Sequence, residues 1–289
     1  MLDMYKNLNL GALGHNGVPF DVACGLAKQY NFAGIDLDLG YLGNLAKTQS
    51  LQAAKDWFAS TGLRVGAIGL SVAWRDWDSD RAYADSLSKF VEEAKLAAEF
   101  GCTRCFTWMM PRSETLDFYQ HFDLVFPRLK RAVDILGLYG ISFGLEFVGP
   151  NTMRAGQKFD FVHTMDGMRT FAAALGLDAK NTGILLDAYH WWTAHGTVTE
   201  LEHLNAAEIV YVHVNDAVKG RSADAQIDQE REMVGASGVI PIKPFLDALR
   251  KIGYDGPLTV EPFNAGIKAM SPQNAAAVTS AALDKVLKL

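Results

Sequence analysis

Four apolar runs in the sequence each reach an ionisable side chain. Ser142-Phe143-Gly144-Leu145-Glu146 ends in a glutamate, and Gly183-Ile184-Leu185-Leu186-Asp187 ends in an aspartate with His190 three residues on. Ile209-Val210-Tyr211-Val212-His213 reaches a histidine, and Pro257-Leu258-Thr259-Val260-Glu261 reaches a second glutamate. Short continuous apolar runs fit strands buried on both faces, as in a parallel sheet covered by helices. Because side chains alternate along a strand, Gly144 and Glu146, Leu185 and Asp187, Tyr211 and His213, and Thr259 and Glu261 each share a face. If those faces form an inner wall, four ligands meet at one point.

Three carboxylates and one imidazole make an oxygen-rich donor set, which suits Mn2+ first, with Mg2+ or Co2+ as alternatives; a tight Zn2+ site draws on more His or Cys. A divalent cation chelated by a carbonyl and its neighbouring hydroxyl acidifies the C–H between them and stabilises the enediolate. One carboxylate then removes the proton. A second returns it to the other face, returns it to the neighbouring carbon, or protonates a departing hydroxyl. Epimerisation, isomerisation and dehydration thus share one constellation.

The remaining elements alternate as such a site requires. Strands are expected at residues 8–13, 34–40, 63–70 and 103–109, ahead of the four ligand-bearing runs. Helices are expected at 18–30, 49–60, 80–100, 116–139 (with a kink or fresh start at Pro127), 165–175, 198–204, 244–252 and 272–289. Eight strands and eight principal helices spell a single (β/α)8 barrel, with one domain over residues 1–289. At 289 residues the chain exceeds the roughly 250 typical of that fold by about one long loop and a closing helix. The long loop is 217–239, rich in charge and glycine, and is expected to act as a mobile lid. A second loop, Ser71-Val72-Ala73-Trp74-Arg75-Asp76-Trp77-Asp78, carries large rings that either line the site or pack on neighbouring helices.

A formal net charge of -6 argues against a nucleic-acid backbone as partner, since such binding needs clustered Lys and Arg. No basic start followed by an apolar stretch opens the chain, and no run is long enough for a bilayer span, so a cytoplasmic location is expected. Cys24, Cys102 and Cys105 make no disulfide framework and read as buried thiols. Lys158, Arg154, Lys219 and Arg221 are the cations that could answer a substrate phosphate.

With these residues the phrases Gly-Leu-Glu-Phe-Val-Gly-Pro, Val-His-Val-Asn-Asp and Gly-Tyr-Asp-Gly-Pro-Leu-Thr-Val-Glu-Pro resemble the xylose isomerase-like TIM-barrel superfamily. Within it they are most similar to the sugar phosphate isomerase/epimerase group that includes ketose 3-epimerases and inosose dehydratases. The resemblance implies that Glu146 and Glu261 both bind metal and exchange protons with substrate, and that Asp187 and His213 are purely ligating. It implies that His190 hydrogen-bonds a substrate oxygen. The ketose 3-epimerases place an arginine six positions after the ligand histidine, where this chain has Lys219; Arg221 and Arg231 are the other candidates for the substrate-clamping cation. Trp108 and His15 complete the expected substrate-binding set. The implied activity is a metal-dependent sugar isomerase or epimerase acting on a ketose or keto-sugar, in a homodimer or homotetramer. The alternatives are a lyase or dehydratase acting on an inosose or 3-keto-glycoside and, more remotely, an endonuclease IV-like repair enzyme.

Overall fold

The computed structural model describes residues 4–176 and 181–289. Residues 1–3, part of the N-terminal stretch read above, lie outside them. The strands are β1 (Tyr5–Leu8), β2 (Gly34–Ile35), β3 (Arg64–Val65), β4 (Ile68–Gly69), β5 (Arg104–Trp108), β6 (Arg112–Ser113), β7 (Ser142–Glu146), β8 (Phe159–Asp160), β9 (Thr182–Asp187), β10 (Ile209–Val214) and β11 (Pro257–Val260). Helices α1 (Phe20–Gln29), α2 (Leu39–Thr48), α3 (Leu51–Ser60), α4 (Asp80–Glu99), α5 (Phe118–Leu138) and α6 (Met165–Leu175) fall between strands of the first half. Those of the second half are α7 (Ala188–Thr193), α8 (Val198–Glu202), α9 (Ile242–Ile252), α10 (Ala265–Lys268) and α11 (Pro272–Leu287).

Nine strands pair in parallel in the order β3-β2-β1-β11-β10-β9-β7-β5-β4. The end strands β3 and β4 are separated in the chain only by Gly66 and Ala67, so the sheet begins and ends in one segment and closes into an α/β barrel. The expected strand 63–70 is therefore broken in the middle, where its pairing changes from β2 to β5. Gly66 sits at the break because a Cβ there would stand 2.3 Å from Asp36 Oδ1 and 2.4 Å from Asn7 Oδ1.

The first strand lies three residues earlier than residues 8–13. Lys6 and Asn7 hide it, since buried polar residues break an apolar reading; Lys6 is paired with Asp284 at 2.7 Å and donates to Ser280 Oγ at 2.8 Å. The second strand stops at Ile35, and the apparent alternation through residue 40 gives way to α2, whose first turn is capped by Asp38 accepting from Tyr41 N–H at 2.8 Å. Helix α5 runs unbroken through Pro127, rather than starting afresh there. Its buried face (Val125, Leu129, Ala132, Val133, Leu136) offsets the roughly 3 kcal/mol an internal proline costs. The core lies between helices and sheet, and a smaller cluster of Ala67, Leu185 and Tyr211, with Phe106 against it, fills the barrel interior. Among the described residues no helix is long and apolar enough to cross a membrane.

Gly66→Ala should lower stability by about 1–3 kcal/mol through overpacking against Asp36 and Asn7, read as a reduced urea midpoint with an unchanged slope. An unaltered midpoint would show that the close approach at the strand break is not structurally required.

Candidate metal centre and active site

Four neighbouring strands, in the order β11-β10-β9-β7, carry Glu261, His213, Asp187 and Glu146 at their C-terminal ends. One ligand atom from each lies within 4.8 Å of the other three. His213 Nδ1 is 3.4 Å from Glu146 Oε1, 3.4 Å from Glu261 Oε2 and 3.7 Å from Asp187 Oδ2. These approaches lack hydrogen-bond alignment: both His213 nitrogens and Glu146 Oε1 are buried without a hydrogen-bond partner. Buried polar atoms aimed at one point and left unpaired fit a cation bound among them.

The floor of the site orients these groups. The His213 ring meets Tyr211 edge-on at 5.4 Å and Phe106 at 5.9 Å, so packing rather than hydrogen bonding fixes its plane. Tyr211 donates to Asp36 Oδ2 at 2.8 Å and bonds Thr259 Oγ1 at 2.6 Å, while Asn7 donates to Asp36 Oδ1 at 2.9 Å. Burial pushes the Asp36 carboxyl up to about 6 in spite of these donors.

Asp187 does two jobs. Oδ1 accepts from the backbone N–H of Tyr189 at 2.6 Å and of His190 at 3.1 Å, capping α7, a helix absent from the sequence reading. Oδ2 accepts from Asn215 Nδ2 and Arg231 Nη1, both at 3.0 Å. The cap also places His190 beside the cluster. Gly149 N–H approaches His190 Nδ1 at 3.3 Å and Arg231 Nη2 approaches Nε2 at 3.0 Å. Burial and the Arg231 charge hold His190 below its usual range, so the ring is neutral and has one acceptor nitrogen for the two approaches. At Gly149 a Cβ would stand 2.2 Å from the His190 carbonyl oxygen.

Of the three candidate cations, Arg231 is the one brought into the site. It is 1% exposed, and its Nη1 lies 3.0 Å from Asp187 Oδ2 and 3.1 Å from Glu261 Oε2. Its Nη2 donates to Asp228 Oδ1 at 2.7 Å, and the ring of Phe263 stacks over the guanidinium at 4.4 Å. Lys219 is exposed, Arg221 pairs with Glu230 at 2.5 Å on the same loop, and neither lines the two cavities described next.

Phe263, in the left-handed region at φ 38°, lies between two cavities that both reach Glu261. Such a conformation costs about 1–3 kcal/mol and persists where the surroundings impose it. The smaller cavity, about 230 Å3, is lined by Trp108, Glu146, His190, Asp228 and Arg231. The larger, about 670 Å3, holds Asn9, His15, Asp36, Asp38 and Glu93, together with His213 and Glu261. No Lys or Arg lines the larger one.

Loop 217–239 is pinned rather than free-standing. Asp216 accepts from the backbone N–H groups of Ser237, Gly238, Val239 and Ile240 at its far end, at 2.7–3.1 Å. Gln226, fully buried, bonds Val218 N–H and C=O across the turn. The staple delivers Asp228 and Arg231 to the cluster. Asn215, Asp216, Asp228 and Phe263 were not read as site residues from sequence; the signal was Asn215-Asp216, two polar residues closing a strand that is otherwise apolar apart from His213.

The fold and the cluster define a class, and comparison with known proteins gives the same one. The chain belongs to the xylose isomerase-like TIM barrel family, whose model matches residues 24–287. An inosose isomerase from Halalkalibacterium halodurans is 28% identical over 142 residues, covering 47% of this chain and 45% of that protein; the match spans under half the relative's length. The structure of a xylose isomerase domain protein from Alicyclobacillus acidocaldarius superposes with a TM-score of 0.86 at 26% identity, covering 99% of this chain and 98% of the other. The IolI protein, whose crystal structure carries a bound zinc atom, shares the fold with a TM-score of 0.79 at 18% identity over 99% and 98% of the chains.

Burial, helped by the charges of Glu261 and Asp187, pushes Glu146 up to about 8 against the pull of His213. Burial alone would lower His213, but Glu261 and Glu146 hold it well above its usual range. Both groups therefore carry protons near neutrality and lose them when a cation binds. Metal binding at pH 7 should release protons, and affinity should climb as pH rises through about 8. Calorimetry in two buffers of different ionisation enthalpy checks this; equal heats together with pH-independent affinity between 6 and 8 would contradict the ligand assignment.

Proposed function

We propose that this chain is a divalent-metal-dependent isomerase or epimerase acting on an unphosphorylated ketose or keto-sugar. The observation that carries the reading is the placement of Glu146 and Glu261. They stand on the outer strands of a four-strand arc, meet at the point where Asp187 and His213 also meet, and each lines a substrate-sized cavity. Binding alone does not require two such carboxylates; moving a proton off one atom and onto another does.

Glu146, Asp187, His213 and Glu261 would hold the cation, which when bound polarises a carbonyl and its neighbouring hydroxyl. The donor set favours Mn2+, and the zinc carried by the IolI neighbour makes Zn2+ the comparison ion. The two glutamates differ in environment. Burial would raise Glu261, but His213 and Arg231 hold it below the usual carboxylate range, whereas Glu146 sits near 8. Glu261, the more readily ionised of the two, takes the substrate proton, and Glu146, after picking up a proton from solvent, returns one to the substrate. Arg231 and neutral His190 hold the substrate oxygens, the first by charge and the second through a ring nitrogen. Substrate hydroxyls extend toward Asp36, Asp38 and Glu93 in the larger cavity, whose acidity and lack of Lys or Arg disfavour a phosphate. The inosose isomerase relative is consistent with a polyhydroxylated, uncharged substrate.

Proton NMR in D2O of metal-stripped protein, with and without Mn2+ or Zn2+, against free ketoses, inososes and 3-keto-glycosides tests the reading. Metal-dependent loss of one carbon-bound proton signal with mass conserved is expected. Glu146→Gln and Glu261→Gln should each slow that exchange about 10²–10⁴-fold, and His190→Ala should raise KM more than it lowers kcat. Wild-type exchange in either glutamine variant would remove the two-carboxylate mechanism, and loss of water or of an aglycone would move the protein to the lyases.

A further inference from the structure

Trp77 in loop 71–78 and Trp108 at the end of β5, in the wall of the smaller cavity, form an exposed aromatic pair. Trp77 is 58% exposed and Trp108 38%, whereas Trp74 beside them is buried. The Trp77 and Trp108 rings lie 6.4 Å apart, inclined at 37°. Between them and Trp74 runs Arg75, whose guanidinium is 4.5 Å from the Trp108 ring, 5.6 Å from Trp77 and 4.9 Å from Trp74. Its Nη2 donates to Thr107 Oγ1 at 3.2 Å and to the Trp108 carbonyl at 3.3 Å.

Exposure here does not come from a loose loop. Arg75 N–H donates to Asp78 Oδ2 at 2.8 Å, and Arg128, itself 6% exposed, donates to the carbonyls of Arg75 at 2.9 Å and Asp78 at 3.1 Å. Ser113 donates to Asp76 Oδ2 at 2.9 Å, tying the loop to the next one. Large exposed rings on a pinned backbone, beside the cavity lined by Glu146 and His190, are placed to bind.

Cavity size says what would reach them. At about 230 Å3 the smaller cavity falls below the roughly 300–1,000 Å3 of sites for drug-sized ligands, so it takes one ring. Trp108 is part of its wall, alongside Glu146, His190 and Arg231, and Trp77 continues that wall outward. Any group joined to a sugar held at Glu146 and leaving past Trp108 would pass over these indoles. Flat indole faces match the C–H face of a second sugar or the face of an arene.

We propose that Trp77 and Trp108 form a subsite for a second ring joined to the reacting sugar, so that the substrate is a glycosylated or arylated sugar rather than a free monosaccharide. The proposal rests on the sugar-site reading above. Arg75 is a positioning residue that keeps the two rings in place.

Calorimetric binding to the metal-loaded full chain tests it with two matched pairs: D-fructose against its 6-O-glucosyl derivative palatinose, and methyl against 4-nitrophenyl β-D-glucopyranoside. The ring-bearing member of at least one pair should bind tenfold or more tightly than its partner; palatinose would assign a second sugar, and the nitrophenyl glycoside an aromatic group. Trp77→Ala should erase that advantage and Trp77→Phe should keep most of it. Equal binding within both pairs, with D-fructose or the methyl glycoside still bound, would overturn the subsite and leave the sugar site standing. Absence of binding by all four probes would remove both. A change of oligomeric state in Trp77→Ala, with ring preference intact in the variant, would give the rings to an interface between copies and overturn the proposal as well.

Discussion

Three carboxylates buried at one point are the constraint on which the rest of this structure depends. Charges of one sign taken out of water repel strongly and are tolerated only when opposite charge and donors surround them. Each neighbouring element supplies one. The strand β10 brings His213, the N-terminus of α7 brings two backbone N–H groups to Asp187, Asn215 bonds the same carboxylate, and loop 217–239 brings Arg231. The Asp216 staple fixes the loop that carries the arginine. Remove any of these and a buried charge is left without its counterpart.

The same compensation creates the chemical asymmetry of the site. Arg231 stands against Glu261 and not within hydrogen-bonding range of Glu146, so one glutamate is held ionised while burial lifts the other. Arg231 is itself locked by Asp228 on one side and the ring of Phe263 on the other. Phe263 in turn lies between the acidic cavity, which suits hydroxyls, and the smaller one that opens toward the tryptophans. The left-handed backbone at Phe263 is the local strain that this arrangement accepts.

Much of this was legible in the sequence because a parallel barrel repeats one grammar: an apolar run, then chemistry at its end. Period-two alternation fixed which residues share the inner wall, and Tyr211, Leu185 and Thr259 do lie beneath His213, Asp187 and Glu261. The errors have physical sources. Lys6 and Asn7 are buried polar residues whose partners, Ser280 and Asp284 for one and Asp36 for the other, are distant in sequence, so the first strand did not look like one. Asp38 reads as a strand residue although β2 ends at Ile35, and the capping of α2 by Asp38 and of α7 by Asp187, the last residue of β9, needs three-dimensional neighbours to be seen. Arg231 stood level with Lys219 and Arg221 in sequence because loop length conceals reach; only the Asp216 and Gln226 bonds decide which cation turns inward.

The most direct test of the central claim is anomalous diffraction from crystals of the full chain soaked in Mn2+. One strong peak is expected about 2.0–2.6 Å from oxygens of Glu146, Asp187 and Glu261 and from a nitrogen of His213, with the Arg231 guanidinium withdrawn from Asp187 Oδ2 and Glu261 Oε2. A peak elsewhere, or no peak while Arg231 keeps its present bonds to both carboxylates, would contradict it and make the cluster an internal ion-pair network.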